Sequence, residues 1–227
     1  MEKNNIIKIT YAKFRVVLLK VLFRKAFIMR KAIPVTVLEE KNFSNLRYVL
    51  NREVLLTKLP KSGICAEVGV FKGEFAGQIL NLMEPRKLHL IDSWIGKRWE
   101  KNYPIVKNTF STEIKEGKII INRGKSTEIL SSFDDNYFDF IYIDTDHSYE
   151  TTKQELEICQ QKVKGNGIIA GHDFCCGYWD SYLKYGVEEA VYEFCVKYDW
   201  EIIYLTADIS HKSFALRKIK ENNVSIK

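Results

Sequence analysis

Carboxylates, glycines and histidines stand in this sequence at spacings that suit the binding of a cation and the movement of a proton. The first group is Ala66-Glu67-Val68-Gly69-Val70-Phe71-Lys72-Gly73-Glu74, an apolar run that ends in an acid and a glycine turn. Gly69 permits the turn without a Cβ clash, and Gly73 permits close approach at the start of a helical pattern reaching to about Met83. This E-x-G-x-x-x-G spacing differs from the G-x-G-x-x-G of dinucleotide sites, whose glycines cradle a pyrophosphate. A cofactor bearing an ammonium group would welcome the acid. The next apolar run ends Asp92-Ser93-Trp94, where an acid is able to accept both hydroxyls of a ribose. Trp94 is either a cover for the nucleoside or a core aromatic.

A second group follows the run at 138–143: Asp144-Thr145-Asp146-His147-Ser148-Tyr149-Glu150. Residues i and i+2 of an extended chain share a side, so Asp144 and Asp146 are expected to face one pocket together. Paired carboxylates there attract a cation or push one pKa upward. The run at 167–171 delivers His172 and Asp173 to a neighbouring strand end. Each has a purely structural reading: His172 as a satisfied core histidine, His147 as a helix cap, Asp173 as a turn cap. Against these stands position, because Glu67, Asp92, Asp144 and Asp173 all fall at or just after the end of an apolar run. Gly124-Lys125-Ser126 is not a phosphate loop, which needs a glycine where Ile119 stands.

The elements that must carry these residues are short apolar runs at 64–68, 88–91, 119–122, 138–143, 168–170, 202–205 and 214–216, alternating with longer helical patterns. Such alternation implies an α/β, Rossmann-like, doubly wound and mostly parallel seven-stranded sheet with helices on both faces. Ligands of that architecture bind beyond the carboxyl ends of the strands. A helical pattern through Leu46, Val49, Leu50 and Leu55 leads to Pro60 and Gly63. The expected division is an N-terminal helical extension over 1–58 and a catalytic domain over 59–227.

Over roughly residues 60–218 the sequence resembles the class I S-adenosylmethionine-dependent methyltransferases. Glu67 to Gly73 matches their first motif. D-x-D-H-S-Y-E at 144–150, G-I-I-A-G-H-D-F at 167–174 and Gly186-Val187-Glu188-Glu189-Ala190-Val191 are similar to the family containing small-molecule and sugar O-methyltransferases. The resemblance implies that Glu67, Gly69, Val70, Gly73, Asp92, Ser93, Trp94 and Asp144 surround the cofactor, with Lys125 and Ser126 beside its adenine. It also implies magnesium on Asp144 and Asp173, and Asp146 as general base. His172 departs from the pattern, standing where metal-using relatives have an aspartate; magnesium prefers oxygen ligands, and a neutral His172 is a second candidate base. The expected reaction is methylation of a hydroxyl on a saccharide or other small metabolite, with residues 174–185 shaping the acceptor pocket. Two other readings remain: a docked binding protein on the same fold, and a different Rossmann-like enzyme such as an oxidoreductase. The missing G-x-G-x-x-G argues against nicotinamide and flavin.

Charge is distributed unevenly. Of the net +6, the first 31 residues hold +8, with nine lysines and arginines against Glu2 alone, so the remainder is −2. A nearly balanced domain is ill suited to neutralising many phosphates, and no nucleic-acid partner is expected. In the basic segment Ile7, Tyr11, Phe14, Leu18, Val21 and Leu22 recur at helical spacing. Two readings stand equally: peripheral membrane or partner contact through residues 1–33, or a helix packed on the core or on a second subunit, as in a homo-oligomer. The five cysteines form no disulfide or zinc pattern, which suits reduced thiols in the cytoplasm.

Overall fold

The computed structural model describes Val17, residues 33–178 and residues 183–220. The basic amphipathic segment, with the contacts expected of it, lies outside the described residues save for Val17 and Ile33. The first half of the fold comprises β1 (Arg47–Val49), α1 (Arg52–Thr57), β2 (Ile64–Val68), α2 (Glu74–Met83), β3 (Lys87–Asp92), α3 (Asn102–Thr109), α4 (Ser111–Lys115) and β4 (Ile119–Arg123). The second comprises α5 (Ser126–Ser131), β5 (Phe138–Ile143), α6 (Tyr149–Lys162), β6 (Val163–Gly171), β7 (Gly177–Tyr178), β8 (Leu183–Lys184), α7 (Val187–Tyr198), β9 (Trp200–Thr206) and β10 (Phe214–Lys218).

Eight strands form one sheet in the order β1-β9-β10-β6-β5-β2-β3-β4. Only β10 runs antiparallel to its neighbours, β6 and β9. Alternation along the strands divides the core into two layers. Ala66, Val68, Ile141 and Ile143 pack with Leu156 of α6 and Val191 of α7, while Cys65, Leu88, Phe140 and Tyr142 pack with Leu56, Phe75 and Val106 of α1, α2 and α3. Each buried Leu or Ile contributes about 1.5–3 kcal/mol, and together they hold the strand ends in register.

The strand count exceeds the seven expected because of β1. The helical pattern read through Leu46, Val49, Leu50 and Leu55 is divided: Arg47 to Val49 pair in parallel with Tyr204 to Thr206 of β9, and only Arg52–Thr57 coils. Tyr48 and Val49 favour extended backbone, and β9 offers an edge for them to cover. The Asn51 side chain then accepts from Val54 N at 2.9 Å and starts α1. Both elements precede residue 59, yet Leu55 and Leu56 are fully buried in the core layer that also holds Cys65 of β2.

Candidate active site

The strand order reverses between β2 and β5, where a crevice opens at the carboxyl ends of the sheet. Backbone hydrogen bonds stitch its rim: Gly69 N donates to Ile91 O at 2.8 Å, Asp144 N to Val68 O at 2.7 Å and His172 N to Ile143 O at 3.0 Å. Among the described non-glycine residues with left-handed backbone, Phe71, Trp94, His147 and Asp173 all follow strands along this rim. Such conformations cost about 1–3 kcal/mol each and persist where the surroundings enforce them.

On the β2 side Glu67 is 2% exposed, and its Oε2 has no hydrogen-bond partner among the described residues. Burial, then the nearby Asp144 and Asp92 charges, push its carboxyl well above the usual range, with Arg52 opposing. An orphaned, charge-starved carboxylate is suited to a cationic ligand group. Gly69 has φ +91°, and a Cβ there would lie 1.8 Å from the Asp144 carbonyl oxygen, so the turn admits no side chain. Gly73, at φ 83°, caps α2 without a side chain. Asp92 binds the turn itself: Oδ2 accepts from Val70 N and Phe71 N, both at 2.9 Å, and Oδ1 from Trp94 N at 2.8 Å. One Oδ1 lone pair is left for a hydroxyl, so the two-oxygen clasp of a ribose expected from the sequence is halved.

Trp94 is 1% exposed and donates through Nε1 to Phe71 O at 2.9 Å, which makes it a strut for the turn. The Ser93 carbonyl accepts from Arg123 Nε at 3.3 Å. Lys125 is exposed and Ser126 half-buried at the start of α5, beyond β4.

On the β5 and β6 side two carboxylates and three imidazoles converge. His147 Nε2 lies 2.8 Å from Asp173 Oδ2 and 3.4 Å from Asp144 Oδ1. His172 Nδ1 lies 3.4 Å from Asp173 Oδ2 and 3.8 Å from Asp144 Oδ2. His211 Nε2 stands 3.7 Å from Asp173 Oδ1. Although burial opposes it, the Asp144 and Asp173 carboxylates raise His147 to about 9. Burial would likewise lift the Asp173 carboxyl, but hydrogen bonds with His147 and His172 hold it below the ordinary carboxylate range.

Asp144 and Asp173 are thus brought together as expected, but Asp146 is not beside them. Asp146 is exposed and accepts from Ser148 N at 3.0 Å, Ser148 Oγ at 2.9 Å and Thr151 Oγ at 2.8 Å, bracing the first turn of α6. β5 ends at Ile143, so the side-sharing rule for extended chain no longer applies across 144–146. Nor is this a magnesium site by its donors, since imidazole nitrogen is as close as carboxylate oxygen.

His211 was not among the residues singled out from sequence, whereas Cys175 and Tyr185 fall in the 174–185 segment expected to shape the acceptor pocket. His211 arrives on the loop between β9 and β10, and the Tyr185 ring packs at a tilt 4.7 Å from that of His147. One compositional signal was present: the chain has four histidines, and three meet here. The fourth, His89, is a core histidine bonded to Asn122 and Tyr137, each at 3.1 Å. Beyond His211 and Cys175 opens a cavity of about 620 Å³, also lined by Tyr48, Phe174, Glu188 and Tyr192.

Residues 66–174 match the sequence model of the family described as "Methyltransferase domain". This match spans just under half of the chain. The fold of the chain is similar to that of S-adenosylmethionine-dependent methyltransferases of known structure. A SAM-dependent methyltransferase from Aquifex aeolicus superposes with TM-score 0.53 at 14% identity, over 78% of this chain and 90% of that one. The B. subtilis tRNA methyltransferase TrmK gives 0.55 at 11%, over 76% and 67%. The pyocyanin biosynthetic protein PhzM gives 0.53 at 11%, over 70% of this chain, which spans only 51% of PhzM. Among curated proteins none matches in sequence. No helix among the described residues is long and apolar enough to cross a membrane.

Proposed function

We propose that this chain methylates a hydroxyl of a saccharide or another small metabolite, using S-adenosylmethionine held at Glu67, the Gly69 turn and Asp92. The observation that carries the reading is the position of His172. Its Nδ1 faces Asp144 and Asp173 at the strand ends, and its ring lies 6.1 Å from that of His211, which lines the cavity. The cofactor supplies a methyl group on a cationic sulfur, and the rest is the chain's own work: binding, alignment and removal of one proton. Glu67 would receive the ammonium group, and Asp92, with one Oδ1 lone pair free, would receive a ribose hydroxyl. With Nδ1 turned to Asp144 and Asp173, His172 donates there and presents Nε2 as the acceptor for the substrate proton.

A hydroxyl needs such a base; a neutral amine does not. The aromatic rings of Tyr48, Phe174 and Tyr192 with the Glu188 carboxylate suit the apolar faces and hydroxyl rims of a sugar. The domain's charge near neutrality argues against nucleic acid. Asp146 is released from the base role by its three hydrogen bonds to α6.

Methyl-labelled S-adenosylmethionine incubated with the full chain, a panel of sugars and a panel of amines tests this. Label is expected on hydroxyl oxygen. His172→Asn should lower kcat by about 10²- to 10⁴-fold, while Asp146→Asn retains turnover. Label on amines, or loss of turnover in the Asp146 variant with His172→Asn unaffected, would contradict the assignment.

A further inference from the structure

The carboxylates that the resemblance would give to magnesium are mixed with nitrogen donors, and the disagreement points to a different ion. We propose that Asp144, His147 and Asp173 hold a divalent transition metal of borderline softness, zinc, cobalt or iron(II) in type, and not magnesium. This does not depend on the methyl-transfer reading, because it concerns metal binding alone.

Three observations support it. First, one donor atom from each of the three residues lies within 4.8 Å of the others. Their closest separations are 2.8 Å and 3.4 Å, against about 2.8–3.4 Å between neighbouring ligands, from octahedral to tetrahedral angles, of an ion bound at about 2.0–2.1 Å. Second, both His147 and Asp173 hold left-handed backbone, with φ 62° and 56°. Neither is glycine, so the chain bears strain in order to aim these side chains inward. Third, a further set shares Asp173: its carboxylate, Cys175 and His211 also lie within 4.8 Å of one another. Imidazole on one side and imidazole plus sulfur on the other form a donor set for which the softer first-row ions compete and magnesium does not.

The supporting contacts fit. Asp173 is 4% exposed, and its second oxygen faces His211 at 3.7 Å, a contact of the kind that orients a ligating carboxylate from behind. The Tyr185 ring packs against that of His147, tilted by 47° with centroids 4.7 Å apart.

The test titrates the chelator-treated full chain with Co2+, following visible d–d absorption, and repeats the titration in excess Mg2+. One Co2+ per chain is expected, with intensity typical of four or five ligands including nitrogen, undisturbed by a hundredfold excess of Mg2+ and displaced by Zn2+. His147→Asn should weaken Co2+ at least tenfold. Asp144→Asn should do the same, so that one misfolded variant would not decide the matter. Circular dichroism verifies each fold. Displacement by Mg2+ at equal concentration would overturn the proposal. So would the absence of Co2+ binding to folded wild-type protein, with His147 instead remaining an imidazolium between the two carboxylates by NMR.

Discussion

The Thr145 hydroxyl donates at 2.8 Å to Glu155 Oε2, tying the loop that carries Asp144 to the buried face of α6. Glu155 is fully buried, and burial raises its carboxyl to about 7 from 4.5, although Ser126 and Thr145 oppose the shift. A raised acid contributes stability that is complete below 4.5 and lost as pH rises through about 7. Glu155→Gln keeps the acceptor for Thr145 but cannot ionise. In denaturant unfolding the variant is expected to match wild type at the acid end of that window and to exceed it by on the order of 3 kcal/mol above it. Parallel pH profiles for the two proteins would contradict this.

The Gly69 turn predicts two glycine substitutions of opposite sign. Gly69→Ala must place its Cβ against the Asp144 carbonyl at positive φ, whereas Gly77, in α2, has nothing within 4 Å of a built Cβ. Urea midpoints should show Gly69→Ala destabilised by about 3 kcal/mol or more and Gly77→Ala stabilised by about 0.4–1 kcal/mol. The first variant should also lose cofactor binding, because the turn and the end of β5 shift together.

Asp92 accepts three backbone N–H groups, so Asp92→Ala should cost about 2 kcal/mol or more in stability as well as affinity for S-adenosylmethionine. Asp92→Asn keeps one acceptor oxygen and should be intermediate on both scales. Equal stability of all three proteins would show that the turn does not lean on this carboxylate.

Much of this site was legible in the sequence because strand ends and glycine turns leave strong marks. Glu67, Gly69 and Asp92 could be placed since a parallel strand is a short apolar run and the ligand-facing residues come next. Asp144 and Asp173 followed by the same rule. Asp146 was misread because alternation holds only while the chain stays extended, and it leaves β5 at Ile143. His211 was invisible for another reason: it lies far along the chain from Asp173 and meets it only because β10 folds back between β6 and β9. The strand β1 was hidden by brevity, since three residues show no period.

If Glu67, whose Oε2 has no hydrogen-bond partner among the described residues, receives the charged group of S-adenosylmethionine, calorimetric titration of the full chain with this nucleoside will show it. Because burial and the nearby Asp144 and Asp92 charges raise the Glu67 carboxyl well above its ordinary range, a cation bound beside it favours loss of the proton. Wild-type affinity should therefore rise with pH, while Glu67→Gln should bind about ten- to a hundredfold more weakly with no such rise. Failure of wild type to bind at millimolar concentration, or equal affinity and pH dependence in Glu67→Gln, would contradict the claim.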